Sequence, residues 1–252
     1  MLEIREFNVK SFEHFVNLMR IHNDNKIRLY RGQKDDLPLD SNLFRIVKKK
    51  NCENEFYEIE KRVFNEFKRS SLIFNKKISE YNDWDILAIA QHYGLPTRLL
   101  DWTSDPLTAL WFAFEDENKE KKEAIRIVWG FVVEDEYLAN FKKENPFKER
   151  FIKVFQPRNL DDRIGTQNSW FSVQNRNFFG PAKEGGDGLP NLAENKSMDK
   201  LEEFEFHLAR FLIPNDLRID ILNKLDVMGV NYFSIFPDLT GLCKNIMWKE
   251  LK

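Results

Sequence analysis

The stretch "LAIAQHYGLPTRLLDWTSDPLTALWFAF", residues 87–114, sets a histidine, an arginine and two aspartates between two strongly apolar segments. A packed core uses the Leu, Ile and Ala residues but has no need of His92, Arg98 and Asp101 between them. Histidine can change protonation near neutral pH, arginine offers a fixed fork of donors to phosphate or carboxylate, and aspartate accepts. With Trp102 and several hydroxyls beside them, these residues suit a site that holds a polar ligand. They equally suit a turn in which Arg98 and Asp101 pair with each other and with the backbone.

Three further clusters carry similar chemistry. In "YRGQ", Arg31 places a cation beside Gly32, the one residue that lets another backbone or a ligand come close; a structural ion pair at a strand end would explain it as well. "DDRIGTQNSWFSV" holds Arg163 and Gln167, which ordinary loop solvation could account for. "FPDLTGL" sets Asp238 before Gly241, where helix capping is the plainer role. The chain lacks GxxxxGK[ST], GxGxxG after a strand, HExxH, GxSxG and any zinc-spaced Cys/His set, so no metal is expected.

These residues need elements to position them. "SFEHFVNLMRI" spaces Phe12, Phe15, Val16 and Met19 as one face of a helix behind Ser11. "KIRLYRGQ" reads as a strand over Ile27–Tyr30 ending in Arg31-Gly32. "FYEIEKRVFNEFKRSSLIF" reads as an amphipathic helix with a solvated charged face. Asn82 or Asp83 caps a helix that stops at Gly94 and Pro96, and Asp105-Pro106 opens the next, leaving ten residues of turn between them. "AIRIVWGFVV" is strongly β-prone with no punctuation until Glu134, the pattern of a central strand buried on both faces. "FIKVF", "SWFSV" and "FHLARFLIP" read as further strands. "GPAKEGGDGLPNLAENKSMDK" reads as a loop. Asn215 is expected to cap a helix with Ile219, Leu222, Leu225 and Met228 facing inward, followed by a last strand at "NYFSIF". The order of elements, without regular βαβ alternation, implies one α+β domain over residues 1–252, its mixed, mainly antiparallel sheet flanked by helices.

Composition excludes several classes. A formal charge of -2 gives no bulk attraction to nucleic acid or an anionic membrane. Two cysteines, Cys52 and Cys243, build neither a disulfide framework nor a four-cysteine metal site, which fits a reducing cytoplasm. No run of about 18 uncharged apolar residues and no apolar signal core is present, so a secreted or membrane-spanning protein is not expected. With 23 phenylalanines, aromatic stripes are better explained by the core than by a ligand site.

The "YRG" tripeptide, the "AQHYGLPTRLLDWTSDPLTALWFA" block, "RIGTQNSWF" and "FPDLTGL" together resemble the FRG domain, a mostly bacterial and phage-associated family named for its (F/Y)RG motif. The blocks run in the expected order from about residue 25 to 245, with 1–24 left as an N-terminal helical segment. Asn168-Ser169 stand where the family usually has a glycine. A second resemblance is to the ADP-ribosyltransferases: an aromatic-Arg-Gly at an early strand looks like their NAD-binding opening, and "ALWFA" is similar to an aromatic-Phe-Ala segment of that superfamily. It implies an ADP-ribosyltransferase-like fold and an NAD-consuming toxin or antiphage effector. Tyr30, Arg31, Gly32, Arg98, Trp102 and Arg163 would bind the cofactor, with Arg31 on a phosphate and His92, Arg98 or Asp101 lining the nicotinamide-ribose side. Asp238 is preferred as the acid over Gln167 and Glu205, and Gln167 could instead bind the acceptor or ribose. The implied partners are NAD or another nucleotide, a protein or nucleic-acid acceptor, and an antitoxin or regulator. Two other readings stay open: a module that binds nucleotide, nucleic acid or protein without turnover, and a hydrolase of nucleotide or nucleic acid using His92 with Asp101.

Overall fold

The computed structural model describes residues 4–20, 26–74, 76–115, 124–148, 152–158, 169–173, 198 and 208–251. Seven strands, β1 (Arg5–Asn8), β2 (Ile27–Gln33), β3 (Leu99–Thr103), β4 (Ile125–Val133), β5 (Lys153–Phe155), β6 (Ser169–Val173) and β7 (Leu208–Pro214), form one sheet in the order β1-β7-β4-β2-β3-β6-β5. Only β1 and β7 run parallel; every other neighbour is antiparallel. Among the described residues the α-helices are α1 (Phe12–Arg20), α2 (Asn42–Lys49), α3 (Phe56–Ser70), α4 (Asp83–His92), α5 (Pro106–Phe114), α6 (Arg218–Val227), α7 (Tyr232–Ile235) and α8 (Leu239–Glu250). The fold is α+β with a mixed, mainly antiparallel sheet, as the order of elements implies.

β4 is nearly all buried because α5, α1 and α6 cover one side of it through Val128, while Ile127, Trp129 and Phe131 pack into a second cluster with Leu29, Leu100 and Trp102. A third cluster joins α3 and α4 to β3, β5 and β6 through Phe64, Trp84, Leu87, Leu99, Phe155 and Phe171. α5 is apolar around its whole circumference, and it is correspondingly buried, with Ala109, Leu110, Ala113 and Phe114 fully enclosed. Asp105 begins it by accepting from the backbone N–H of Leu107 and Thr108 at 3.0 and 3.1 Å.

Several elements differ from the sequence reading. The ten-residue turn contains β3: Leu99–Thr103 pairs residue by residue with Val173–Ser169 of β6, and that ladder turns Leu100 and Trp102 into the core. β2 continues through Arg31 and Gly32 to Gln33, because β4 supplies a partner for each residue. The N-terminal segment contributes a strand, β1, ahead of α1. "NYFSIF" is helical rather than extended. Asn231 accepts from the N–H of Phe233 and Ser234, and Ser234 Oγ accepts from the Asn231 N–H, so a capping box outweighs the alternating pattern. Asn215 does not cap α6; it starts a 3₁₀ turn and accepts from Arg126 Nε at 2.8 Å. The inward face of α6 is Ile221, Leu222 and Leu225, while Ile219 and Met228 are exposed. The residues 180–200 reading lies almost wholly outside the described residues.

α1 and α6 are clasped at the surface by Lys224, which reaches Glu13 at 2.6 Å and Asp220 at 2.8 Å. The hydrogen bond from Lys224 pushes the Glu13 carboxyl down to about 2 from an ordinary 4.5. A carboxyl depressed by folding stabilises above its unfolded value and loses that contribution as pH falls through the folded one. Melting curves between pH 6 and pH 2 should therefore show a component lost below about pH 4.5 that Glu13→Gln lacks. Identical pH profiles for the two proteins would refute the clasp.

Candidate functional site

β2 and β3 part almost as soon as they meet. Their register contains one pair, Tyr30↔Thr103, although β2 pairs with β4, and β3 with β6, along their full lengths. Arg31 reaches across this fork: its Nη1 donates to the Asp101 carbonyl at 2.8 Å and lies 3.6 Å from the Asp101 carboxylate. Beside the fork opens a cleft of about 560 Å³, within the range of small-molecule sites. β2 supplies Tyr30, Arg31 and Gly32, with Lys34 beyond it; α4 supplies Gln91 and His92; β3 supplies Asp101, Trp102 and Thr103. α5 adds Thr108 and Phe112, with Glu115 just past its end; β6 adds Ser169 and Phe171, and the α7–α8 connection adds Phe236, Pro237 and Asp238.

Each of these side chains has a local reason for its place. Gly32 is a packing glycine: a Cβ there would lie 2.0 Å from the Ala109 carbonyl oxygen and 2.6 Å from the Ala113 nitrogen, so α5 rests directly on β2. That contact brings Thr108, Phe112 and Glu115 to the cleft. Gly94, with φ of +86°, ends α4 and leaves Gln91 and His92 on its last turn. Asp238 caps α8 by accepting from the Gly241 N–H at 2.8 Å, and a Cβ on Gly241 would lie 1.9 Å from the Phe236 carbonyl oxygen. "FPDLTGL" is thus a tight helix entry that fixes Phe236 and Asp238 at the mouth.

Arg31 of "YRGQ" and Arg98 of the 87–114 stretch have opposite environments. Arg98 is buried outside the cleft, with Nε and Nη2 on the Glu60 carboxylate, Nη1 donating to the Pro146 carbonyl at 3.2 Å, and the Phe147 ring 5.2 Å away. Burial alone would lower its pKa, but Glu60 overrides this and leaves it raised. Arg98 is therefore fully matched, and its partner is Glu60 rather than Asp101. Arg31 is not matched. Burial lowers its pKa, and Asp101 only partly offsets that. Its Nε is buried without a hydrogen-bond partner among the described residues. The cation facing the cleft is the one whose charge the protein leaves incompletely balanced.

Of the candidate residues, Tyr30, Arg31, Gly32, His92, Asp101, Trp102 and Asp238 all line this cleft. Trp102 does so from the core, its Nε1 donating to Ser172 Oγ at 2.9 Å. Burial raises the pKa of Tyr30. His92 touches Tyr93 edge-on, and neither ring nitrogen forms a hydrogen bond among the described residues. Arg163, Gln167 and Glu205 lie outside the described residues. Sequence reasoning passed over Gln91, Lys34 and Glu115. Gln91 donates from Nε2 to Asp101 Oδ1 at 2.7 Å, and Lys34 pairs with Glu115 at 3.0 Å. The available signal for Gln91 was an amide that follows the apolar run Ile86–Ala90 in the same helix. Among the described residues no group of His, Cys, Asp and Glu could hold a metal ion, and no helix is long and apolar enough to cross a membrane.

The part of the chain from β2 through α5, which supplies Arg31, Gln91, His92 and Asp101, falls within a family match. Residues 26–122 fit the model described as the FRG domain. The chain carries an FRG domain. The match ends before Ser169 and Asp238, so the cleft is closed by residues beyond the matched segment. No curated protein and no solved structure is significantly similar to the chain.

Proposed function

We propose that this FRG-domain protein binds NAD in the cleft and consumes it, as an ADP-ribosyltransferase or NAD glycohydrolase. The observation that carries this reading is the incompletely balanced Arg31 set in one cleft with the carboxylates of Asp101 and Asp238. A guanidinium that lines a cleft with its charge incompletely balanced suits a phosphate oxygen. A cleft of cations alone would favour binding without turnover, whereas carboxylates can stabilise a developing cation and take up a proton. The hydrolase reading that joins His92 to Asp101 is weakened because Asp101 Oδ1 is already held by Gln91.

In this reading Arg31 grips a phosphate of the dinucleotide. The bond between ribose carbon and nicotinamide nitrogen breaks with its electron pair leaving on nicotinamide, and the ribose acquires oxocarbenium character. Asp238, with one oxygen occupied by the Gly241 N–H, directs the other toward that charge or toward a ribose hydroxyl. Water or an acceptor side chain or base then attacks the ribose carbon, and its proton passes to Asp238 or His92. Such an enzyme would act in the cytoplasm as a toxin or antiphage effector, held in check by an antitoxin or regulatory partner.

The test is nicotinamide release by purified protein, with and without cell lysate. Arg31→Ala should lower the rate about a hundredfold or more, the size of effect seen when one aligned charge-stabilising donor is removed. Dependence on lysate would mark transfer rather than hydrolysis. Absence of release, with a melting temperature that NAD does not raise, would overturn the NAD reading.

A further inference from the structure

Asp101 is held in place by a short relay that begins in the core. Thr97 is buried, and its Oγ1 accepts from the Leu99 N–H at 3.0 Å. Its own hydroxyl proton goes to Gln91 Oε1. With its carbonyl committed to Thr97, the Gln91 amide must turn its NH2 outward, where Nε2 lies 2.7 Å from Asp101 Oδ1 and 3.4 Å from the Leu99 carbonyl. The flipped amide would set three oxygens against one another, so the donor direction is determined. Asp101 Oδ1 is therefore an acceptor, and Oδ2 is the oxygen that faces Arg31, at 3.6 Å.

That separation is unusual for an Arg–Asp pair on adjacent segments. Carboxylate and guanidinium normally close to a two-pronged contact at about 2.7–2.9 Å. Here the carboxylate is 60% exposed and has room to move, yet it stands off. The tether from Gln91 is what restrains it.

We propose that Gln91 is a positioning residue that keeps Asp101 from closing onto Arg31, so that the guanidinium stays available to a phosphate group of the ligand. This rests on the proposed phosphate contact of Arg31. Without the tether, Asp101 swings into a closed ion pair and competes with the ligand for the same donors. The loss appears in affinity, hence in KM, and kcat changes little, because the competing contact is broken before the chemical step.

The experiment uses the full chain and two probes, NAD and inorganic pyrophosphate, with binding read by titration and by the melting temperature. Gln91→Leu keeps the side-chain volume but removes the donor. It should weaken pyrophosphate and NAD binding roughly tenfold or more, the equivalent of one hydrogen bond to a charged group. The double variant Gln91→Leu/Asp101→Asn should regain most of that loss, since a neutral amide does not compete for Arg31. Unchanged binding in Gln91→Leu overturns the proposal. So does a loss that Asp101→Asn fails to relieve, since a merely structural role for Gln91 predicts no rescue. If the wild-type protein binds pyrophosphate but neither binds nor cleaves NAD, the NAD reading fails, while Gln91 is still judged by the pyrophosphate series. If it binds neither, both fall.

Discussion

Alanine at position 32 should leave the protein without a stable fold. The added Cβ would lie 2.0 Å from one backbone atom of α5 and 2.6 Å from another. Neither is the tip of a flexible side chain, so relief requires moving α5 as a body away from the central strand of the sheet. α5 buries Ala109, Leu110, Ala113 and Phe114, and separating it from β2 would open the largest core cluster. Overpacking of this kind costs more than about 4 kcal/mol, a large part of the 5–15 kcal/mol typical of a whole domain. Gly94→Ala is the control. There a Cβ meets nothing within 4 Å, and only the φ of +86° opposes it, at roughly 1–2 kcal/mol. Thermal melts and soluble yield should separate the two variants clearly. A cooperative melt for Gly32→Ala close to that of the wild type would mean that α5 does not rest on β2 as described. The glycine of the YRG motif is thus explained by helix-on-strand packing, and its connection to the site is indirect, through the α5 residues that the packing delivers to the cleft.

The sequence made legible those parts whose signals are local. Ser11, Asn82 and Asp105 announce helix starts through side chains that accept backbone N–H groups, and each does so in the structure. The β-prone run of β4 announces a strand covered on both faces. What failed depended on partners far along the chain. Leu99–Thr103 carries Asp101 in the middle of an apolar run, and only the ladder to β6, some seventy residues on, makes it a strand. The site shows the same division. His92, Arg31, Asp101 and Asp238 were recognisable as chemistry without a visible purpose, but the grouping in one cleft depends on the β2–β3 fork and on Gly32 and Gly241, none of which has a periodicity to read. Arg98 was misplaced for the opposite reason. Its partner, Glu60, lies on a helix whose charges look like an ordinary solvated face, and nothing within five residues of Glu60 marks it as the one that turns inward.

That buried pair gives the second large effect. Arg98 and Glu60 are 3% and 5% exposed, and their link ties α3 to the start of β3 and, through the Pro146 carbonyl and the Phe147 ring, to the segment after β4. Removing either partner strands the other charge in a site built to exclude water. Arg98→Ala and Glu60→Ala should each destabilise by about 3–5 kcal/mol. Replacing both with apolar residues of similar size, as in Arg98→Met/Glu60→Leu, should recover most of the loss, because the cost comes from the orphaned charge more than from the missing attraction. Denaturant melts of the two single variants and the double variant measure this directly, and strictly additive losses would contradict it. The same double variant also separates the two arginines by function. If Arg98 is structural, that protein should bind pyrophosphate as the wild type does, whereas Arg31→Ala, which removes a cation from a cleft rather than from a core, should fold well and lose the anion.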